Sequence, residues 1–218
     1  MCLQYDSVIS VEAHAVSLRQ RNTFDMFSRH RGWMLNHSGP TAASAFPSSR
    51  SRDIAWFCWM GAGRTDRPLR LSLAIAIAHW SWLPLVVVLA SSMVFRADAI
   101  GPVLSALGVA TLMQWLVKRL ARWLSSRRPF AIGLCANHLH HSDRGGMPST
   151  HASVMACLAG ALSPWMVLWP EFALVPSIAV ITAWARVQAG AHFPSDALVG
   201  LMLGASVGSA AARAFSWS

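Results

Sequence analysis

Carboxylates are scarce in this chain: nine Asp and Glu residues stand against 18 Lys and Arg among 218 positions. A magnesium site built from several carboxylates has few residues to draw on. Cysteine is also sparse, and Cys2, Cys58, Cys135 and Cys157 show no paired metal-ligand spacing. Neither a disulfide framework nor a zinc site is implied. The first thirty residues contain no basic start, short apolar centre and small-residue cleavage site in succession, so no signal peptide is expected.

Charge of either sign is thin. With 12% charged residues, 54% hydrophobic residues and 11 tryptophans, the chain is too apolar for an ordinary soluble domain and reads as an integral membrane protein. The net charge of +9 does not make it a nucleic-acid binder. Its cations lie in short clusters at the ends of apolar runs, as the flanks of membrane spans do, and no nucleic-acid-binding motif is present. The expected partner is the lipid bilayer.

The pattern predicts a polar, poorly ordered leader over residues 1–52 and a membrane-embedded domain over 53–218. Residues 54–60 are too short to cross a bilayer but rich in tryptophan, which suits the headgroup region. Apolar runs at about 71–95, 99–117, 152–168, 172–187 and 197–215 predict an all-α helix bundle. The count is five transmembrane helices, with six as the alternative. Pro84 falls inside the first run and should kink it.

Three polar segments interrupt this background: Arg128-Pro129, Pro148-Ser149-Thr150-His151, and Arg186-x5-His192-x3-Asp196. An arginine can grip a phosphoryl oxygen in bidentate fashion, and a carboxylate four residues from a histidine can orient its ring. The span order brings all three segments to one membrane face. Chance would scatter them between both. Gly200, Gly204, Gly208 and Ala212 recur every four residues, as do Ala152, Ala156 and Gly160, and such stripes let helices approach closely.

In order and spacing these segments resemble the type 2 phosphatidic acid phosphatase and haloperoxidase superfamily, over residues of about 70–215. The stretch from Arg128 through Pro148 is most similar to the undecaprenyl diphosphatase branch. The resemblance implies a membrane lipid phosphatase that hydrolyses a phosphate or diphosphate monoester through a phosphohistidine, with undecaprenyl diphosphate as the first substrate. In that scheme His192 is the nucleophile, Asp196 holds its other ring nitrogen, and His151 protonates the leaving oxygen and then activates water. Arg128, Arg186, Ser149 and Thr150 bind phosphate at a helix N-terminus, and no metal or other cofactor is required. The implied location is the bacterial inner membrane, with the site on the extracytoplasmic face.

Two departures stand out. The family's Pro-Ser-Gly-His is Pro-Ser-Thr-His here, and its lysine seven positions before the first arginine is Ala121. Lys118 and Arg122, one helical turn apart, are the candidate replacements for that cation. The missing lysine also motivates an alternative, a non-catalytic lipid transporter with a degenerate site. Phosphatidic acid or another phospholipid is the alternative substrate. A haloperoxidase would share the anion pocket but has no reason to carry five apolar runs. His138, His140 and His141 with Asp143 read as a solvated loop, and Asp143-Arg144-Gly145-Gly146 as a polar turn that positions the Pro-Ser-Thr-His segment.

Overall fold

The structure, a computed structural model, describes residues 48–215; most of the expected leader lies outside them. Among the described residues seven α-helices are joined by short 3-10 turns, and there is no strand beyond one isolated bridge between Arg127 and Arg144. Helix α1 spans Ser48–Trp59, α2 Pro68–Trp80, α3 Trp82–Phe95, α4 Ile100–Leu124, α5 Thr150–Leu162, α6 Leu174–Gln188 and α7 Pro194–Phe215. Residues 48–52 of the expected leader therefore form the first turns of a helix.

By length and composition three helical stretches can cross a membrane: Ala97–Leu124, Pro170–Gln188 and Pro194–Ala214. A fourth is added if α2 and α3, bent by 41° at Ser81, count as one span. The bend has a local cause. Pro84 has no N–H to give the carbonyl of Trp80, and its ring crowds that carbonyl.

The third expected run differs in length at α5. The expected run over 152–168 supplies only a 13-residue helix followed by a 3-10 turn at Ser163–Trp165. Pro164 cannot donate in a continuing helix, and at ~1.5 Å per residue α5 reaches only about 20 Å. Nearly all of it is buried, from Ala152 to Leu162. It is the axis of the bundle, packed against α4, α6 and α7.

Around that axis each helix shows one small or apolar face inward. On α4 the buried positions are Val103, Ala106, Ala110, Met113, Val117 and Ala121, the three-and-four spacing of one helical stripe. Its other faces expose Leu104, Leu112, Trp115 and Leu116, as do those of α3 with Val86 and Val87 and of α6 with Val180 and Ile181. Large apolar side chains in such number suit hydrocarbon rather than water.

The tightest seam lies between α5 and α7. A Cβ added at Gly204 would lie 2.1 Å from the Ser153 carbonyl oxygen, and one at Gly208 2.1 Å from that of Cys157. At Gly160, on the facing helix, it would lie 2.5 Å from the Ala205 oxygen. The two backbones touch, and only glycine fits at these positions.

Candidate active site

The spacing of Arg186 and His192 follows from how α6 ends. Ala189 closes the helix, Gly190 takes the left-handed conformation with φ +76°, and the chain folds back. The Gly190 amide donates to the Val187 carbonyl and the Ala191 amide to the Arg186 carbonyl, both at 3.0 Å. These paired bonds are those of a Schellman turn. Gly190 is needed twice over, because a Cβ there would also lie 2.3 Å from Cys135 Sγ. His192 follows at once, and Pro194 then opens α7, a position where its missing N–H costs nothing.

His192 is 3% exposed, and both ring nitrogens are engaged. Nδ1 lies 2.7 Å from the Gly146 carbonyl oxygen, and Nε2 lies 3.1 Å from Nη1 of Arg128. A carbonyl only accepts and a guanidinium only donates. The ring is therefore protonated on Nδ1, and Nε2 presents its lone pair toward Arg128. Burial, reinforced by the charges of Arg128 and Arg186, holds the imidazole well below its usual range, with the Gly146 contact opposing.

The partner of Nδ1 is a correction. The four-residue spacing suggested Asp196, but the Asp196 carboxylate Oδ2 accepts the Phe193 amide at 3.1 Å, and its main-chain carbonyl accepts the Ser149 amide at 3.0 Å. The reason is register. Asp196 lies in the first turn of α7 and reaches back to the residue before the helix, whereas His192 lies outside the helix and shares no face with it.

Gly146 is brought to His192 by a loop closed on itself. The Gly146 amide donates to the Ser126 carbonyl at 3.1 Å, the Met147 amide to Ser126 Oγ at 2.7 Å, and the Arg128 amide to the Asp143 carbonyl at 3.3 Å. Arg128 Nη1 also donates to the Ala191 carbonyl at 2.8 Å and Nη2 to the Gly145 carbonyl at 3.2 Å. Burial pulls this guanidinium below its usual range, and the Asp196 carboxylate opposes that.

Arg186, 4% exposed, points Nη1 to within 2.6 Å of His141 Nε2. The sequence places His141 in a solvated loop. It is instead half-buried and braced at both main-chain ends by the Asn137 side chain, at 2.8 and 3.0 Å. Burial, then the charges of Arg186 and Arg128, push its pKa down to about 4. Only the histidine cluster hinted at this in the sequence, and nothing local singles out His141 from His138 and His140.

Several buried donors make no hydrogen bond among the described residues: Ser149 Oγ, Arg128 Nε and Arg186 Nε. Ser149 precedes α5 yet makes no side-chain cap bond, although serine there normally caps. Thr150 and His151 open the helix, where the first amides have no partner within it. His151 is exposed and lines a cavity of about 350 Å³ with Lys118, Thr150, Trp82 and Met155. The structure thus brings Arg128, Ser149, Thr150, His151, Arg186, His192 and Asp196 to one end of the bundle. Lys118 and Arg122 lie on the adjoining face of α4, Arg122 in a second cavity beside Arg128. Among the described residues no group of three or more His, Cys, Asp or Glu side chains is placed to hold a metal ion.

Asp53 was missed altogether. From α1 its carboxylate accepts the Ser195 amide at 3.2 Å and the Ser195 hydroxyl, in the first turn of α7. Phe57, one turn on, meets Phe193 edge to face at 5.8 Å. Helix α1 is thereby fastened behind the loop that carries His192.

A helical bundle with an apolar outer surface and a site lined by arginine and histidine at one end fits one class, the integral membrane phosphatases. The comparisons are specific. The PAP2 superfamily model matches residues 82–218, and the chain belongs to that family. It is 31% identical over 156 residues to the Escherichia coli (strain K12) protein named "Putative undecaprenyl-diphosphatase YbjG", covering 70% of this chain and 77% of that one. A transmembrane PAP2 type phosphatidylglycerolphosphate phosphatase from Bacillus subtilis superposes with TM-score 0.62 at 25% identity, over 81% of this chain and 90% of that chain. LpxE of Aquifex aeolicus gives TM-score 0.55 at 24% identity over 73% and 94%, a likeness of fold.

Proposed function

We propose that this PAP2-family lipid phosphatase acts on a polyprenyl diphosphate, first among them undecaprenyl diphosphate, through a phosphohistidine at His192. The carrying observation is the ring state of His192. With Nδ1–H held by Gly146, the lone pair for attack resides on Nε2, beside the guanidinium that would bind the incoming phosphoryl oxygens. The name of the Escherichia coli relative supports the same substrate.

The reaction has two displacements. Arg128 turns from Nε2 to the phosphoryl oxygens, joined by Arg186 and the Ser149 hydroxyl, whose free buried donors suit the charge of the transition state. Nε2 attacks phosphorus, the bond to the leaving oxygen breaks, and His151 supplies that oxygen with a proton. His151 then takes a proton from water as the water attacks the phosphohistidine, and phosphate departs. Asp196 acts by fixing the start of α7 and the Ser149 amide, and Lys118 shares a cavity wall with His151.

The site faces the extracytoplasmic side of a bacterial inner membrane in this reading. Purified protein in detergent should release phosphate from undecaprenyl diphosphate with a strong chelator present and be inhibited by vanadate, which adopts the five-coordinate geometry of the transfer. Acid-labile, base-stable labelling at His192 during turnover marks the intermediate. Strict dependence on added magnesium, or labelling elsewhere, overturns the mechanism. Activity confined to phosphatidic acid overturns only the substrate, and transport without phosphate release favours the degenerate-site alternative.

A further inference from the structure

A cavity of about 400 Å³ adjoins the site on its α4 side. Its wall carries four cations, Lys118 and Arg122 from one face of α4, Arg144 from the loop, and Arg128 from the site itself, with no carboxylate among its lining residues. None of Lys118, Arg122 and Arg144 joins the ion pairs present among the described residues, which are Arg64 with Asp66 and Arg96 with Glu171. Like charges gathered around one space repel each other, and an anion in that space relieves the repulsion. Ala121 also faces the cavity, and its single methyl leaves room between the cations.

This position is distinct from that of the transferred phosphoryl group, which must lie against His192 Nε2, Arg186 and Ser149. Arg128 borders both. Two anion positions sharing one guanidinium fit two phosphates joined by a bridging oxygen. Thr150 and Lys118 border this cavity and also the neighbouring one, which continues past His151 to Trp82, Leu85, Val154 and Met155. An apolar chain attached to the second phosphate has its exit there.

Resting on the phosphatase reading above, we infer that the cavity walled by Lys118, Arg122 and Arg144 holds the phosphate that stays with the lipid, and that Arg144 is a specificity-determining residue for diphosphates. His192 Nε2 bonds to the terminal phosphorus, the bond from that phosphorus to the bridging oxygen breaks, and its electron pair remains on the departing lipid monophosphate. His151 protonates that oxygen, and the three cations hold the charge of the departing lipid monophosphate.

Farnesyl diphosphate and farnesyl monophosphate, offered to the purified full chain in detergent, separate the two positions. The wild type should favour the diphosphate in kcat/KM by at least about tenfold, as one charge-assisted contact allows. Arg144→Gln should lower kcat/KM on the diphosphate about tenfold and on the monophosphate no more than about threefold, while Arg144→Lys keeps most of the preference. Arg144 is exposed, and an unchanged thermal unfolding curve verifies that the variant is folded. Equal losses on both substrates, or no loss on either, overturn the inference. A wild type that prefers the monophosphate removes the second-phosphate position but leaves the phosphatase reading intact, whereas release from no lipid phosphate at all brings both down.

Discussion

The α5/α7 seam and the loop over residues 125–149 meet at Ser149, yet they are built on opposite principles. The seam is held by shape: glycines let two backbones touch, with the small side chains of Ser153 and Ser209 packed beside them. The loop is held by directed bonds, with the carbonyls of Asp143, Gly145 and Gly146 accepting from Arg128 and His192 and the Ser126 hydroxyl accepting from the Met147 amide. The seam sets where α5 and α7 begin. The loop sets which atoms face His192.

Substitutions should divide along the same line. His192→Ala and His151→Ala should each cut turnover by about a thousandfold or more, as removal of a nucleophile or its proton donor does, while thermal unfolding shifts little. Kinetics and unfolding on the same preparation test this. Substantial turnover in a folded His192 variant removes the assignment. Gly204→Val should do the reverse, destabilising the bundle by roughly 1–3 kcal/mol or preventing its assembly, because its side chain must enter the space of the Ser153 carbonyl. A Gly204 variant of normal stability and low activity would mean that the seam serves chemistry instead.

A smaller effect is expected at His141. Loss of its bond to Arg186 in His141→Phe should lower kcat/KM by about tenfold, since hydrogen bonds to charged groups contribute roughly 1.5–3 kcal/mol. His141 and His192 also link stability to pH. Both are held below the ordinary histidine value of 6.5, His141 down to about 4, so below pH 6.5 the unfolded chain binds more protons than the folded one. Stability should therefore be fully present above that pH and fall as the pH drops toward 4, with a shallower fall in His141→Phe. An unfolding temperature independent of pH in this window contradicts their neutral burial.

The smallest effect sharpens the boundary of the domain. Deleting residues 1–47 should leave activity and insertion largely intact, whereas Asp53→Ala should cost about 1 kcal/mol by removing the cap on α7. Circular dichroism melts of the two proteins decide between an ordered role for α1 and a dispensable one.

How much could be read in advance follows the same division. Apolar runs and the four-residue glycine repeat revealed the bundle and its seam, because both are periodic along one helix. The length of α5 was misjudged because apolar content continues past Pro164 while the helix does not. Arg186 and His192 were legible as a pair, since their separation is that of a single helix-ending turn. The ring partner of His192 was not: Asp196 is near in sequence, but Gly146 is 46 residues away and reaches the ring through a folded loop.

The amino-acid order by itself determined the membrane character, the helices, the small-residue seam and the candidate site side chains, since hydropathy, backbone conformation and side-chain chemistry are local properties. Only the tertiary structure decided that Nδ1 of His192 is held by a carbonyl, that His141 rather than its neighbours meets Arg186, that Asp53 fastens α1 across 142 residues of chain to Ser195, and that four cations share one cavity. Each of these is a contact between distant segments, fixed by where the packed helices leave their ends.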